Sequence, residues 1–154
     1  MTGLTSTLAA IDAAYFRAIG EGIGAIVLYA IVGVALLLLG FYAVDVTTPG
    51  KLNELVRAGA PNAVAVTAAG MVSMAFIVVV AIYTSGGRLA EGLLSSLVYG
   101  LVGIVVQVAG VRVLEYVTGI DIGRVLRADT YTPAATVVCS AHVALGLVVA
   151  VAIL

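Results

Sequence analysis

Four stretches of this chain run for twenty residues or more without one charged side chain: between Glu21 and Asp45, between Arg57 and Arg88, between Glu91 and Arg112, and from Asp129 to the C-terminus. A helix needs about 20 apolar residues to cross the hydrocarbon core of a bilayer. No water is present there to satisfy a stray backbone N–H or C=O, so segments of this composition have to span as helices. The expected fold class is therefore all-α: a polytopic membrane protein with spans near residues 23–44, 62–84, 93–114 and 133–153. Charged residues make up 10 % of the chain, against about 25 % in soluble domains.

The four stretches form two related pairs. Tyr29, Gly33, Gly40, Asp45 and Arg57 stand seventy residues before Tyr99, Gly103, Gly110, Glu115 and Arg127. The residues between them are mostly Ala, Val, Ile and Leu, so glycines, tyrosines and charges carry the register. Two tandem helical hairpins are expected, covering 23–84 and 93–154 and joined by a linker at 85–92. Each hairpin has an even number of spans, which predicts a pseudo-two-fold axis along the membrane normal. Residues 1–22 form a separate N-terminal interfacial segment. Leu4, Leu8, Ile11, Tyr15 and Ile19 recur there at helical spacing, which predicts an amphipathic helix on the membrane surface. Asp12, Arg17 and Glu21 do not make the positive leader of a cleaved signal peptide.

Lysine and arginine sort by side. Lys51, Arg57, Arg112, Arg124 and Arg127 fall at the loops after the first and third spans, and only Arg17 and Arg88 lie opposite. The positive-inside rule then predicts cytoplasmic loops, with both termini outside. Each of these loops reads as a short interfacial helix. In one, Leu52, Leu55 and Val56 oppose Lys51, Glu54 and Arg57, with Thr48-Pro49 as its start. In the other, Ile122, Val125 and Leu126 oppose Arg124 and Arg127. Asn62 after Pro61, and Thr132 before Pro133, read as caps of the spans that follow. Tyr29, Tyr83 and Tyr99 mark the outer interface, and Tyr42, Tyr116 and Tyr131 the inner one.

Gly33 and Gly40, and likewise Gly103 and Gly110, lie two helical turns apart on one face. Small residues let helices approach closely in lipid, where packing drives association. These four glycines are expected at helix–helix contacts. The run Gly33 to Gly40, the stretch Asp45-Val46-Thr47-Thr48-Pro49-Gly50, and Asn62-Ala63-Val64-Ala65-Val66 leading to Gly70 together resemble the YjfL-like bacterial inner-membrane proteins, a domain of unknown function. The resemblance covers most of residues 24–154. The second copy departs from it, with Thr132-Pro133 in place of the asparagine and Gly119 in place of the proline. The resemblance implies four membrane helices in a bacterial inner membrane and supplies no activity. It adds only that relatives are often encoded near enzymes like those of polyamine metabolism.

Ionisable and strongly polar groups inside a membrane are the default functional candidates. Gln107 sits about nine residues before the end of the third span, and His142 about nine after the start of the fourth. At 1.5 Å per residue both lie roughly 13 Å from the same surface. An antiparallel hairpin can therefore join them by a carboxamide–imidazole hydrogen bond. Asp45 and Glu115 end the first and third spans, with Arg112 placed three residues before Glu115 to pair with it. They serve either as interfacial anchors or as the mouth of a cation path.

No catalytic set, phosphate loop, metal cluster or cofactor motif is present. Cys139 is the only cysteine, and its neighbours are apolar. A net charge of -1 excludes a basic nucleic-acid surface. The expected function is a small non-enzymatic scaffold or accessory subunit, a homo-oligomer or part of a membrane complex. The alternative is an ion, proton or small-solute conduit, linked to polyamines if the resemblance is followed.

Overall fold

The computed structural model describes the backbone of residues 2–47 and 51–154, and the side chains of residues 14–47 and 51–154. Every regular element among the described residues is helical: α1 (Thr2–Thr47), α2 (Leu52–Arg57), α3 (Pro61–Thr84), α4 (Leu89–Thr118), α5 (Ile122–Leu126) and α6 (Pro133–Ile153). Four of them, α1 from Ala14 onward, α3, α4 and α6, are long and apolar enough to cross a membrane.

The chain divides into two compact units, Met1–Ile31 and Val32–Leu154. The described residues of the first unit are all helical. Gly20, Gly22 and Gly24 all lie inside α1, so the helical assignment runs through the boundary expected near residue 22. Thr48-Pro49 and the side chains of Leu4, Leu8 and Ile11 lie outside the described residues.

Local chemistry sets the helix ends in the second unit. Pro61 and Pro133 open α3 and α6, where the missing N–H costs nothing. Gly119 closes α4 with φ 68°, a left-handed conformation that a side chain would strain. Between α3 and α4, Gly86 and Gly87 both take positive φ, and the turn ends at Arg88, which pairs with Glu91 at 2.8 Å. Helix α4 therefore starts at Leu89, inside the stretch expected to be linker.

The pair α3 and α6 makes the most extensive helix–helix contact in this unit, and α4 packs on both. One apolar cluster, at the end carrying α2 and α5, joins Leu52, Ala63, Val66, Ile122, Leu126 and Val138. A second, farther from the loop helices, joins Leu36, Met74, Ile77, Val78 and Ile104. Leu52 and Leu126 are each only 1 % exposed. Burying a side chain of this size contributes on the order of 2 kcal/mol, so α2 and α5 are docked through their apolar faces. Their charged faces stay outside. There Lys51, itself in a left-handed conformation, donates to Glu54 at 2.8 Å. That bond and the Glu54 charge hold the ammonium's pKa above its usual value.

Glycines make the closest helix approaches. A methyl added at Gly103 would come within 2.6 Å of Ile77 Cδ1, and one at Gly110 within 2.5 Å of Leu145 Cδ1. Gly33 and Gly40 are looser, with nearest atoms at 4.0 Å and 3.5 Å. The tightest approach falls at Gly146, whose added methyl would strike the Ser73 hydroxyl and come 2.9 Å from Ser73 Cα.

Candidate functional site

Three nearly inaccessible polar side chains meet in the interior of the span bundle: Ser73 of α3, Gln107 of α4 and His142 of α6. The Ser73 hydroxyl donates to the His142 carbonyl at 2.6 Å, and the Gln107 carboxamide nitrogen donates to the Ser73 hydroxyl at 2.5 Å. Gln107 Oε1 then stands 3.3 Å from His142 Nδ1. The orientation of this network follows from its end point. A backbone carbonyl only accepts, so Ser73 spends its one hydrogen on it and must accept from the NH2 end of Gln107. That leaves the Gln107 oxygen facing the imidazole, which has to carry its hydrogen on Nδ1 to complete the bond. The ring's remaining hydrogen-bonding atom is Nε2.

Gly70 faces the ring, and a methyl added there would stand in ordinary contact, 3.7 Å from His142 Nδ1. A cavity of about 30 Å³ adjoins this cluster, with Thr67, Gly70, Gln107 and His142 in its wall beside Leu37 and Met74. A second, of about 10 Å³, shares His142 and reaches Arg112 past Val44, Val108 and Val111.

Asp45 and Glu115 have a different task. Asp45 Oδ1 accepts the Asn53 backbone N–H at 2.9 Å, and Glu115 Oε1 accepts that of Ile122 at 3.2 Å. Each carboxylate therefore covers an otherwise unpaired donor in the first turn of the following loop helix, where negative charge also suits the helix dipole. Glu115 meets Arg112 at 2.6 Å as well. The two acids bind loop helices, and among the described residues no hydrogen bond joins them to each other or to Gln107.

Asn62 and Thr132 depart from their expected capping roles. The cap position of α3 is Ala60, and the fully buried Asn62 instead reaches across to the loop before α6. Its nitrogen donates to the carbonyls of Ala128 at 3.3 Å and Thr130 at 2.9 Å, and its oxygen accepts the Thr132 N–H at 2.9 Å. Thr132 does hold the cap position of α6, but its hydroxyl makes no capping bond. Ser73, Thr67 and Gly146 carried no mark in the sequence. A serine or threonine in an apolar helix ordinarily bonds its own preceding turn, so its identity alone does not point to a partner on another helix.

Residues 18–153 match the family described as Domain of Unknown Function (DUF350). The chain belongs to that family. Among curated proteins, this DUF350 chain is 45 % identical over 86 residues to a UPF0719 transmembrane protein of Mycolicibacterium paratuberculosis, covering 55 % of the chain and 57 % of that relative. It is 44 % identical over 81 residues to a UPF0719 transmembrane protein of Mycobacterium bovis, covering 52 % of the chain and 53 % of the relative. The chain thus spans about half the length of the curated relatives it matches. No solved structure matches it. Four apolar helices and transmembrane relatives together make the DUF350 chain a multi-pass membrane protein.

Proposed function

We propose that this chain is a small integral membrane scaffold or accessory subunit of the bacterial inner membrane, without enzymatic activity, which self-associates or docks a larger complex. The observation that carries this reading is the state of α1. Within the second unit alone, its large apolar side chains Val34, Leu38, Leu39 and Val46 stay exposed. Within their own unit, Gly20, Gly22 and Gly24 have no neighbour among the described residues within 4 Å of an added methyl. Each glycine costs a helix roughly 1 kcal/mol relative to alanine. Three within five residues suit a surface that another helix approaches closely better than one that faces lipid chains alone.

Native mass spectrometry of the protein released from membranes should show an oligomer or a heteromeric complex, and Gly24→Leu should dissociate it. A parent protein that flies only as a monomer would remove the basis of this reading. The buried cluster around His142 favours a second reading, a proton, ion or small-solute conduit with the polyamine link as one candidate. Liposomes separate the two. No flux is expected, whereas a proton flux abolished by His142→Asn would establish the conduit.

The orientation we propose places α2 and α5 in the cytoplasm, on the five-to-two distribution of Lys and Arg. Gly3→Cys and Arg88→Cys, each made in a Cys139→Ser background, should react with an impermeant maleimide in intact cells. Labelling that appears only after permeabilisation would invert the topology.

A further inference from the structure

Thr67 lies in the wall of the larger cavity, and its Oγ1 is buried with no hydrogen-bond partner among the described residues. An unsatisfied hydroxyl in hydrocarbon costs several kcal/mol, and the usual remedy, a bond to the carbonyl one turn earlier, is not made here. Two further polar side chains share the same wall, Gln107 and His142. With Nδ1 engaged by Gln107, the imidazole has Nε2 left to accept a hydrogen.

We propose that this cavity is an intramembrane water site, in which water bridges the Thr67 hydroxyl to the His142 imidazole and extends the Ser73–Gln107–His142 network. Size and chemistry both fit. A buried water needs about 10–15 Å³ of such space and two to four polar partners. The cavity offers about 30 Å³, and Thr67, Gln107 and His142 supply the partners. The rest of the wall is apolar, and a wholly apolar cavity stays dry, so the polar side chains decide the outcome. The smaller cavity also has His142 in its wall, together with Arg112, the partner of Glu115. The site is complete within one chain and does not depend on assembly.

Nuclear Overhauser transfer from the water resonance, recorded on the full chain in lipid nanodiscs, tests the assignment. Cross-peaks to the His142 ring Cε1–H and the Gly70 amide are expected in the parent protein. They should vanish in Thr67→Val, which keeps the shape and removes the hydroxyl, and return in Thr67→Ser. Xenon supplies the converse reading, because it enters dry cavities. It should leave the Leu37 and Met74 methyl resonances of the parent unmoved and shift them in Thr67→Val. Absent water cross-peaks in the parent, xenon shifts in the parent, or a Thr67→Val variant that keeps the parent's cross-peaks would each overturn the assignment.

Discussion

Gly146→Ala should destabilise this protein more than alanine at any of the four glycines whose spacing marks them in the sequence. The added methyl would meet the Ser73 side chain and lie 2.9 Å from Ser73 Cα. A rotamer change can move the hydroxyl but not the backbone, so α3 and α6 must separate or shear. Overpacking of this kind costs typically about 1–3 kcal/mol, and a clash with backbone belongs at the upper end. Alanine's better helix propensity offsets up to about 1 kcal/mol of it. Displacing Ser73 also strains its bonds to the His142 carbonyl and to Gln107. The thermal midpoint in detergent should fall by roughly 5–10 °C. Gly40→Ala, whose methyl meets Met74 at an ordinary 3.5 Å, should stay close to the parent. Equal midpoints for Gly146→Ala and Gly40→Ala would contradict this packing.

The second large effect is expected at Asn62. Asn62→Ala deletes one acceptor and two donated bonds in a single step, leaving the Thr132 N–H and the carbonyls of Ala128 and Thr130 without protein partners. Each buried group left unsatisfied costs about 1–3 kcal/mol, and water reaches the more exposed of the three. A net loss of about 2–4 kcal/mol follows on that scale. Asn62→Asp should not rescue it, because a carboxylate can still accept from Thr132 but would face the two carbonyls with negative charge. Hydrogen exchange gives the local readout: the Thr132 amide should exchange much faster in Asn62→Ala, while amides in the middle of α4 keep their protection. Unchanged protection at Thr132 would show that the bridge is dispensable.

The parts of this fold that could be read from sequence are those set by periodicity and solvent. Charge-free stretches locate the spans because lipid tolerates little else, and the alternation of Leu52, Val56 with Lys51, Arg57 locates α2 because one face must dock. The proximity of Gln107 and His142 follows from helical rise along an antiparallel hairpin. Asn62 was misleading for a physical reason: asparagine beside proline at a helix start is a local capping pattern, whereas its partners lie 66–70 residues away. Ser73 and Gly146 were silent because a small residue in an apolar helix is compatible with lipid, cavity or neighbour alike, and only the crossing of α3 and α6 selects among these. The glycine register pointed to close packing, and the closeness proved uneven, with Gly103 and Gly110 tight and Gly33 and Gly40 loose.

The Ser73–Gly146 crossing also limits how the bundle can move. Where backbones touch without an intervening side chain, the spacing between two helices does not depend on rotamers and cannot be shortened. Separation there would break the Ser73 bond to the His142 carbonyl. The motion left to α3 and α6 is rotation about that point, a scissoring in which small angular changes become larger displacements toward the helix ends. The crossing is thus a fulcrum, and the ends of α3 and α6 where α2 and α5 dock are the tips of its arms.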